Sequence, residues 1–374
     1  MSAIAAAAGV FCVVAVALHL LAQSLTLWRC RRGRRAAHKA STLPSVSILR
    51  PLCGVDACEE ATLRSAFDLD YPDYELILCC ASAGDPVVPL ARRLIAGHPH
   101  IRARLLIGND LVSDNPKLNN VVKGWDAAAH DWIVMADSNV LMPRDYLQRL
   151  IATWREGTGL VCAPPVGTWP ENFAAELECA FLNTYQASWQ YAADSVGLGF
   201  AQGKTMLWRR DILDRLGGVR ALGCESADDA AATKLVRGAG LSVRLCDRPS
   251  LQPLGVRTLS HVWNRQLRWA RLRRASFPLF FLPEVLTGGV PAILCAAYAA
   301  DVWDLEPIAA ASGLALIWYG AEAAVAAGAG WHLSWRSPLA WVLRDALLPL
   351  LWTTAWLGRG FTWRGTDMQA ARSA

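Results

Sequence analysis

The first 28 residues contain no Asp, Glu, Lys or Arg. That absence rules out an ordinary solvated surface here, and the stretch is longer than the about 20 apolar residues that span a bilayer as a helix. Six of the 37 basic residues follow between Arg29 and Lys39, where acids are missing. A basic flank after an apolar core holds that end in the cytoplasm, so the N-terminus is expected outside. A cleaved signal peptide would carry its basic residues before the core. Away from this cluster 31 basic residues face 32 acidic ones. The body lacks the broad basic face that binding to nucleic acid requires. The eleven cysteines contain no C-x-x-C pair, and the seven histidines show no zinc-like spacing. Both absences argue against a disulfide framework or a zinc hydrolase, and the thiols read as reduced groups facing a cytoplasm.

A nucleotide-hydrolysing loop is also missing. "GLGFAQGKT" (Gly197–Thr205) imitates one, but the pattern needs glycine five places before Gly203, where Leu198 stands.

What the chain does have is an apolar excess, 53% hydrophobic residues, gathered at its two ends. Three C-terminal stretches, Pro278–Ala300, Pro307–Ala327 and Pro338–Leu357, read as membrane segments. The third carries Arg344 and Asp345 near its middle. These are costly in lipid unless paired or facing protein, so this stretch reads either as a span or as a helix in the interface. The expected organisation is an N-terminal transmembrane anchor over 1–28 and a basic cytoplasmic linker over 29–43. A catalytic domain over 44–276, C-terminal membrane segments over 277–358 and a tail over 359–374 follow.

Between the apolar ends, short β-rich runs alternate with helical stretches. Strands are predicted at Ser45–Leu52, Tyr74–Ser82, Ala103–Gly108 and Trp132–Asn139, and helices at Glu59–Asp68, Val87–Gly97 and Asn119–Ala129. That rhythm specifies an α/β domain with a Rossmann-like, mostly parallel sheet. Ligands bind beyond the carboxyl ends of such strands. Asp85 and Asp137 fall at predicted strand ends, and Asp228 and Asp229 open a predicted helix. An acid in a first helical turn is ordinarily a cap, and a lone strand-end Asp is ordinarily a turn residue. Their common placement on one face is what marks a candidate site. In "FAAELECAFLNTYQASW", Phe173, Leu177, Phe181, Tyr185 and Trp189 recur four apart and form one helical stripe. It is expected to pack against the sheet, or else to guide a lipid.

"RPLCGVD", "LDYPDYELILCC", "GDP", "NPKLNN", "MADSN", "SADDAAATK" and "RQLRW" occur in that order. Together they resemble the membrane-bound ceramide glucosyltransferases, in a bacterial-type form related to hopanoid glycosyltransferases. The similarity runs from Pro44 to Arg274 and takes in the segment around Gly203. It implies an A-type glycosyltransferase fold with one N-terminal and two or three C-terminal transmembrane helices. It further implies inverting transfer of glucose from UDP-glucose to the primary hydroxyl of ceramide. By resemblance, Asp85, Lys117, Asp137 and Arg268 meet the nucleotide sugar, and Asp229 is the general base. Arg265, Trp269 and Gly203 would lie on the acceptor or product side. A divalent metal, Mg²⁺ or Mn²⁺, would be held by Asp137, with Asn139 as second ligand where many such enzymes carry Asp. Asp228 stands where many relatives have Glu. Arg271, Arg273 and Arg274 are expected to meet lipid headgroups.

The Ala/Arg-rich composition and the divergence from animal-like motifs point to a bacterial inner membrane, with the catalytic domain expected on its cytoplasmic side. The same fold serves other acceptors, such as a hopanoid or diacylglycerol, and another donor, UDP-N-acetylglucosamine. A processive polysaccharide synthase usually carries Gln at the position of Arg265. A non-enzymatic membrane scaffold would not need acids at these strand and helix ends.

Overall fold

The computed structural model describes residues 3–35, 43–363 and 366–369. Its centre is a seven-stranded sheet. Four parallel strands come first: β1 (Val46–Leu52), β2 (Tyr74–Cys80), β3 (Arg102–Ile107) and β4 (Trp132–Ala136). They lie in the order β3-β2-β1-β4, with β1 and β2 almost wholly buried. Apolar runs buried on both faces are what a parallel sheet covered by helices requires. The helices Val87–Gly97 and Tyr146–Thr153 supply apolar residues to one face. Pro116–Ala127 and Asp228–Gly238 cover the other.

Beyond β4 the sheet changes direction. Of the remaining strands, β5 spans Thr158–Cys162, β6 Pro165–Pro170, β7 Thr205–Arg209, β8 Ser242–Leu245 and β9 Ser250–Gly255. Strand β7 pairs antiparallel with both β4 and β5, and β8 closes the edge parallel to β5. β6 and β9 form a separate parallel pair. The antiparallel entry of β7 matters for the site: its first residue, Thr205, lies opposite Ala136, the last residue of β4. The residues just before β7 therefore meet those just after β4.

The N-terminal helix does not end at Trp28 but runs from Ala3 to Arg35. Arg29 is buried, and its Nε donates to Asp247 at 2.8 Å while its guanidinium also pairs with Asp194. Arg32 reaches Asp247 as well, at 2.7 Å. Part of the basic flank thus docks the anchor onto the α/β domain. Ala3–Arg34 and Pro307–Ala329 are each long and apolar enough to cross a membrane. Pro278–Leu286 and Gly289–Val302, bent by 48°, would together make a third span.

The helix Ser337–Leu357 is not one of these spans. Arg344 and Asp345 are sealed inside protein, at 1% and 0% exposure. Arg344 pairs with Glu322 at 2.8 Å and with Asp345 at 2.8 Å. This charged face packs on residues 173–195, which form one continuous helical rod with a π-helical segment at Phe181–Ala187. Most of the aromatic stripe faces helices, while Phe173 packs in the cluster that holds Val166 of β6 and Leu251 of β9. Leu177, Phe181 and Tyr185 bury against Val262, Leu267, Phe281, Leu348 and Leu351.

Candidate active site

β1, β2 and β4 run parallel, so their carboxyl ends share one edge of the sheet. "NPKLNN" lies along this edge, and five of its six residues have distinct tasks. Asn115 caps the helix by accepting from the backbone N–H groups of Lys117 and Leu118, and Pro116 takes the first turn. This cap starts the helix three residues earlier than apolar periodicity predicts. Asn119 Oδ1 accepts from the N–H groups of Val112 and Ser113 and so shapes the preceding loop. Asn120 donates to the carbonyls of Leu52 and Cys79, clamping the ends of β1 and β2 together. Lys117 is left pointing along the strand ends.

The turn after β4 carries Asp137 and Asn139. Beneath it lies Arg50, a residue of β1 with no solvent exposure. Its guanidinium donates to the carbonyls of Asp137, Ser138 and Val140 at 2.7–2.9 Å, and to that of Thr62 at 2.7 Å. Buried carbonyls need partners, and one planar donor fork here fixes the shape of the whole turn. Sequence patterning gives no hint of this role. "RPL" reads only as the end of a strand.

Lys117 Nζ stands at the centre. It donates to the Gly203 carbonyl at 2.7 Å and pairs with Asp137 Oδ1 at 3.0 Å and Asp228 Oδ2 at 2.9 Å. Lys204 Nζ meets Asp137 Oδ2 at 2.8 Å and Asn139 Oδ1 at 2.9 Å. Asp229 Oδ2 accepts from the Gly203 N–H at 3.0 Å. Gly203 lies directly against the cluster. A Cβ there would meet Lys117 Nζ at 3.2 Å and the carboxylates of Asp229 and Asp228 at 3.4 and 3.5 Å. Ala227 takes the cap position of the Asp228–Gly238 helix without a side-chain bond. Asp228 turns to Lys117 instead of capping.

These contacts set the electrostatics. Burial works against the charged form of Asp137, but Lys117 and Lys204 outweigh it and hold its pKa well below the usual carboxylate range. Lys117 is likewise held protonated against burial by Asp137 and Asp228. Asp229 moves the other way. Burial and the neighbouring charge of Asp228 raise its pKa to about 6, against the opposing pull of Lys117 and two backbone N–H groups. Lys204 falls to about 8, since burial and nearby Arg265 outweigh the help from Asp137. Two neighbouring carboxylates displaced in opposite directions can divide the work of cation binding and proton transfer.

The structure therefore gathers Lys117, Asp137, Asn139, Gly203 and Asp229 in one cluster. Asp85 is engaged differently. Its carboxylate accepts from the N–H groups of Gly54 at 3.0 Å and Val87 at 2.9 Å, tying the β1 and β2 loops at the same sheet edge. Arg265, Arg268 and Trp269 lie on the helix Leu259–Ser276. Arg265 pairs with buried Glu178, donates to Gln252 at 2.9 Å and lies 4.5 Å over the Trp269 ring. Arg268 sits one turn on and is partly exposed. The last arginines of that helix have protein partners rather than only headgroups. Arg273 pairs with Glu284 at 2.7 Å, while Arg271 and Arg274 donate to the carbonyls of Gly360 and Gly358. Lys204 is the residue that sequence reasoning missed. Its signal is the "GKT" that ends the phosphate-loop imitation, but only the antiparallel return of β7 brings it to Asp137.

The donor set at Asp137 and Asn139 suits a hard divalent cation, because both offer oxygen and an ammonium group already bridges them. Among the described residues, no group of three His, Cys, Asp or Glu side chains is arranged to hold a metal. A cation here would draw its remaining ligands from phosphate and water, as Mg²⁺ commonly does.

A parallel block extended by an antiparallel strand, with acids at its carboxyl edge, is the layout of an A-type glycosyltransferase. The sequence pattern of glycosyl transferase family 21 matches residues 10–373, and the chain belongs to that family. Ceramide glucosyltransferase 1 of Caenorhabditis elegans is 28% identical over 294 residues, covering 77% of this chain and 62% of that protein. The ceramide glucosyltransferase of Komagataella phaffii is 42% identical over 123 residues, 30% of this chain and 24% of that one. The chain thus spans less than two thirds of the length of these relatives. A mannosyltransferase of Pyrobaculum calidifontis, solved in complex with GDP-Man and Mn²⁺, superposes with a TM-score of 0.50. The match is 18% identical and covers 91% of this chain and 99% of that one, a likeness of fold.

Proposed function

We propose that this protein is a membrane-bound hexosyltransferase that moves glucose from UDP-glucose to the primary hydroxyl of ceramide with inversion. The observation that carries this reading is the cluster at the sheet edge, where Lys117 joins Asp137 to Asp228 beside Asp229. In the reaction, the bond from the sugar's anomeric carbon to the diphosphate oxygen breaks, and a bond to the acceptor oxygen forms on the opposite face. Asp229 takes the acceptor's proton. Its raised pKa makes it a stronger base than an ordinary carboxylate while leaving it ionised at neutral pH. Lys117 and Arg268 are the fixed positive groups for the leaving diphosphate, and Asp85 orders the loops that face the nucleotide. A divalent cation, Mg²⁺ or Mn²⁺, would be held by Asp137 and Asn139 and would supply neutralising charge to the departing UDP. Trp269 and Gly203 belong to the acceptor side, with Arg265 orienting the Trp269 ring.

The membrane helices support a lipid as acceptor, and the basic flank after the first span supports a catalytic domain on the cytoplasmic face of a bacterial inner membrane. The test is expression in a host that makes no glycolipids, followed by lipid mass spectrometry. A new hexosyl-ceramide is expected. A hexosaminyl-hopanoid or a hexosyl-diacylglycerol would replace the substrates named here. Undiminished turnover in chelator, with metal absent by elemental analysis, would remove the cation.

A further inference from the structure

We infer that Lys204 is a cation held in the metal's place. Its ammonium occupies the Asp137–Asn139 oxygen pair while no donor is bound, and moves onto the donor's diphosphate when a divalent cation takes that pair. This rests on the donor-site reading above and adds a ligand to it.

The geometry begins with two lysines in different situations. Lys117 Nζ donates to the Gly203 carbonyl and pairs with the carboxylates of Asp137 at 3.0 Å and Asp228 at 2.9 Å. Lys117 is thus anchored by a hydrogen bond and by ion pairs to two carboxylates. Lys204 Nζ has two acceptors, Asp137 Oδ2 at 2.8 Å and Asn139 Oδ1 at 2.9 Å. Those are the two oxygens a divalent cation would need. A metal draws its oxygen ligands to about 2.1 Å. An ammonium bonded to the same two oxygens would then sit roughly 3–4 Å from the metal, where like charges repel strongly in a site of low dielectric. The two cations exclude each other.

Charge then directs the displaced lysine. Asp137, Asp228 and Asp229 supply three carboxylates, and Lys117 stays with Asp137 and Asp228 after Lys204 leaves. The nearest new anion is the diphosphate that arrives with the metal. Lysine's flexible four-carbon stem lets its head move without a backbone change. Lys204 also begins directly after Gly203, whose backbone lines the same cluster. The consequence is linkage. The metal must evict Lys204 to bind alone, and it regains that cost only when a diphosphate receives the lysine. Metal and nucleotide each strengthen the other's binding by the same factor.

The experiment measures binding of Mn²⁺ by the full-length protein in lipid nanodiscs, followed by electron paramagnetic resonance of free Mn²⁺, with and without UDP. Three proteins are compared: wild type, Lys204→Met and Lys204→Arg. The Met variant keeps Asp137 paired with Lys117, so no acid is stranded, and thermal melting of each variant checks its fold. In Lys204→Met, Mn²⁺ is expected to bind the nucleotide-free protein about tenfold more tightly, and the enhancement by UDP to shrink by a similar factor. Lys204→Arg keeps the competing charge and is expected to stay near wild type in nucleotide-free Mn²⁺ affinity. Equal Mn²⁺ affinity and equal UDP enhancement in wild type and Lys204→Met would overturn the inference while leaving the donor site standing. An Arg variant that behaves like the Met variant would overturn it too, since charge would then be irrelevant. If neither wild type nor Lys204→Met takes up Mn²⁺ even with UDP, the inference and the metal-dependent donor site fall together.

Discussion

Arg344 and Lys117 are both buried cations gripped by carboxylates, yet their surroundings differ. Around Arg344, the carboxylate oxygens of Glu322 and Asp345 meet donors from Arg344, Thr184, Tyr319 or the backbone of Gly289. Its charged side chains lie at 0–1% exposure, and the network joins four helical segments. Around Lys117 the cluster is open on one side, with the Asp137 side chain 23% exposed. Asp137 and Asp228 pair with the two lysines, and Asp229 keeps a raised pKa despite the opposing pull of Lys117. Similar residues thus serve opposite ends. A saturated network holds helices in register, whereas an unsaturated one that solvent can reach has capacity left for a ligand. Access and charge balance, rather than composition, separate them.

That contrast can be broken most sharply at Arg344. Replacing it with Leu strands Glu322 and Asp345 and is expected to cost about 3–5 kcal/mol of stability. Thermal melting in nanodiscs measures this, and turnover per folded molecule should be largely kept. Adding Glu322→Gln and Asp345→Asn should recover much of the loss, whereas neutralising acids in the open cluster should abolish activity.

The second test is pH. An acid whose pKa is raised to about 6 is ionised above that value and protonated below it, so base catalysis is present at pH 7 and lost as pH falls through 6. The rate at pH 4 should be about a hundredfold below that at pH 7, by the tenfold per unit that a single proton imposes. A profile of kcat/KM that is flat from pH 7 to pH 5 would remove Asp229 as the base.

Asn120 sharpens the boundary between scaffold and site. Asn120→Ala leaves the buried carbonyls of Leu52 and Cys79 without their donor and should cost about 1–3 kcal/mol by denaturant melting. The smallest effect belongs to the surface. Arg209 and Asp211 pair at 3.0 Å while both stay exposed, and Arg209→Ala should change stability by about 0–1 kcal/mol.

The sequence made much of this legible, for identifiable reasons. β1, β2 and β4 are dense apolar runs bounded by turn residues, so their pattern survives without context. The strand-end position of Asp137 and the helix-start position of Asp229 followed from the same pattern. Other features depend on partners remote in sequence. β7 returns antiparallel beside β4, and only that pairing carries Lys204 from a rejected loop motif to Asp137. Arg50 acts through carbonyls some ninety residues away, a contact with no local signature. The apolar stretch containing Arg344 and Asp345 was ambiguous until Glu322 and Thr184 appeared as partners. The four-residue spacing of the aromatic stripe specifies a helix, but most of its neighbours lie on helices that begin roughly eighty residues or more further along the chain.

The central claim is that the open cluster at the sheet edge is a donor site at which Asp229 removes the acceptor's proton. Its most direct test is UDP release from UDP-glucose by purified protein in ceramide-containing vesicles with Mn²⁺, comparing wild type with Asp229→Asn. The account predicts steady release by wild type and a loss of about 10²–10⁴-fold in the variant, with UDP binding retained. Equal release by the two proteins would contradict it.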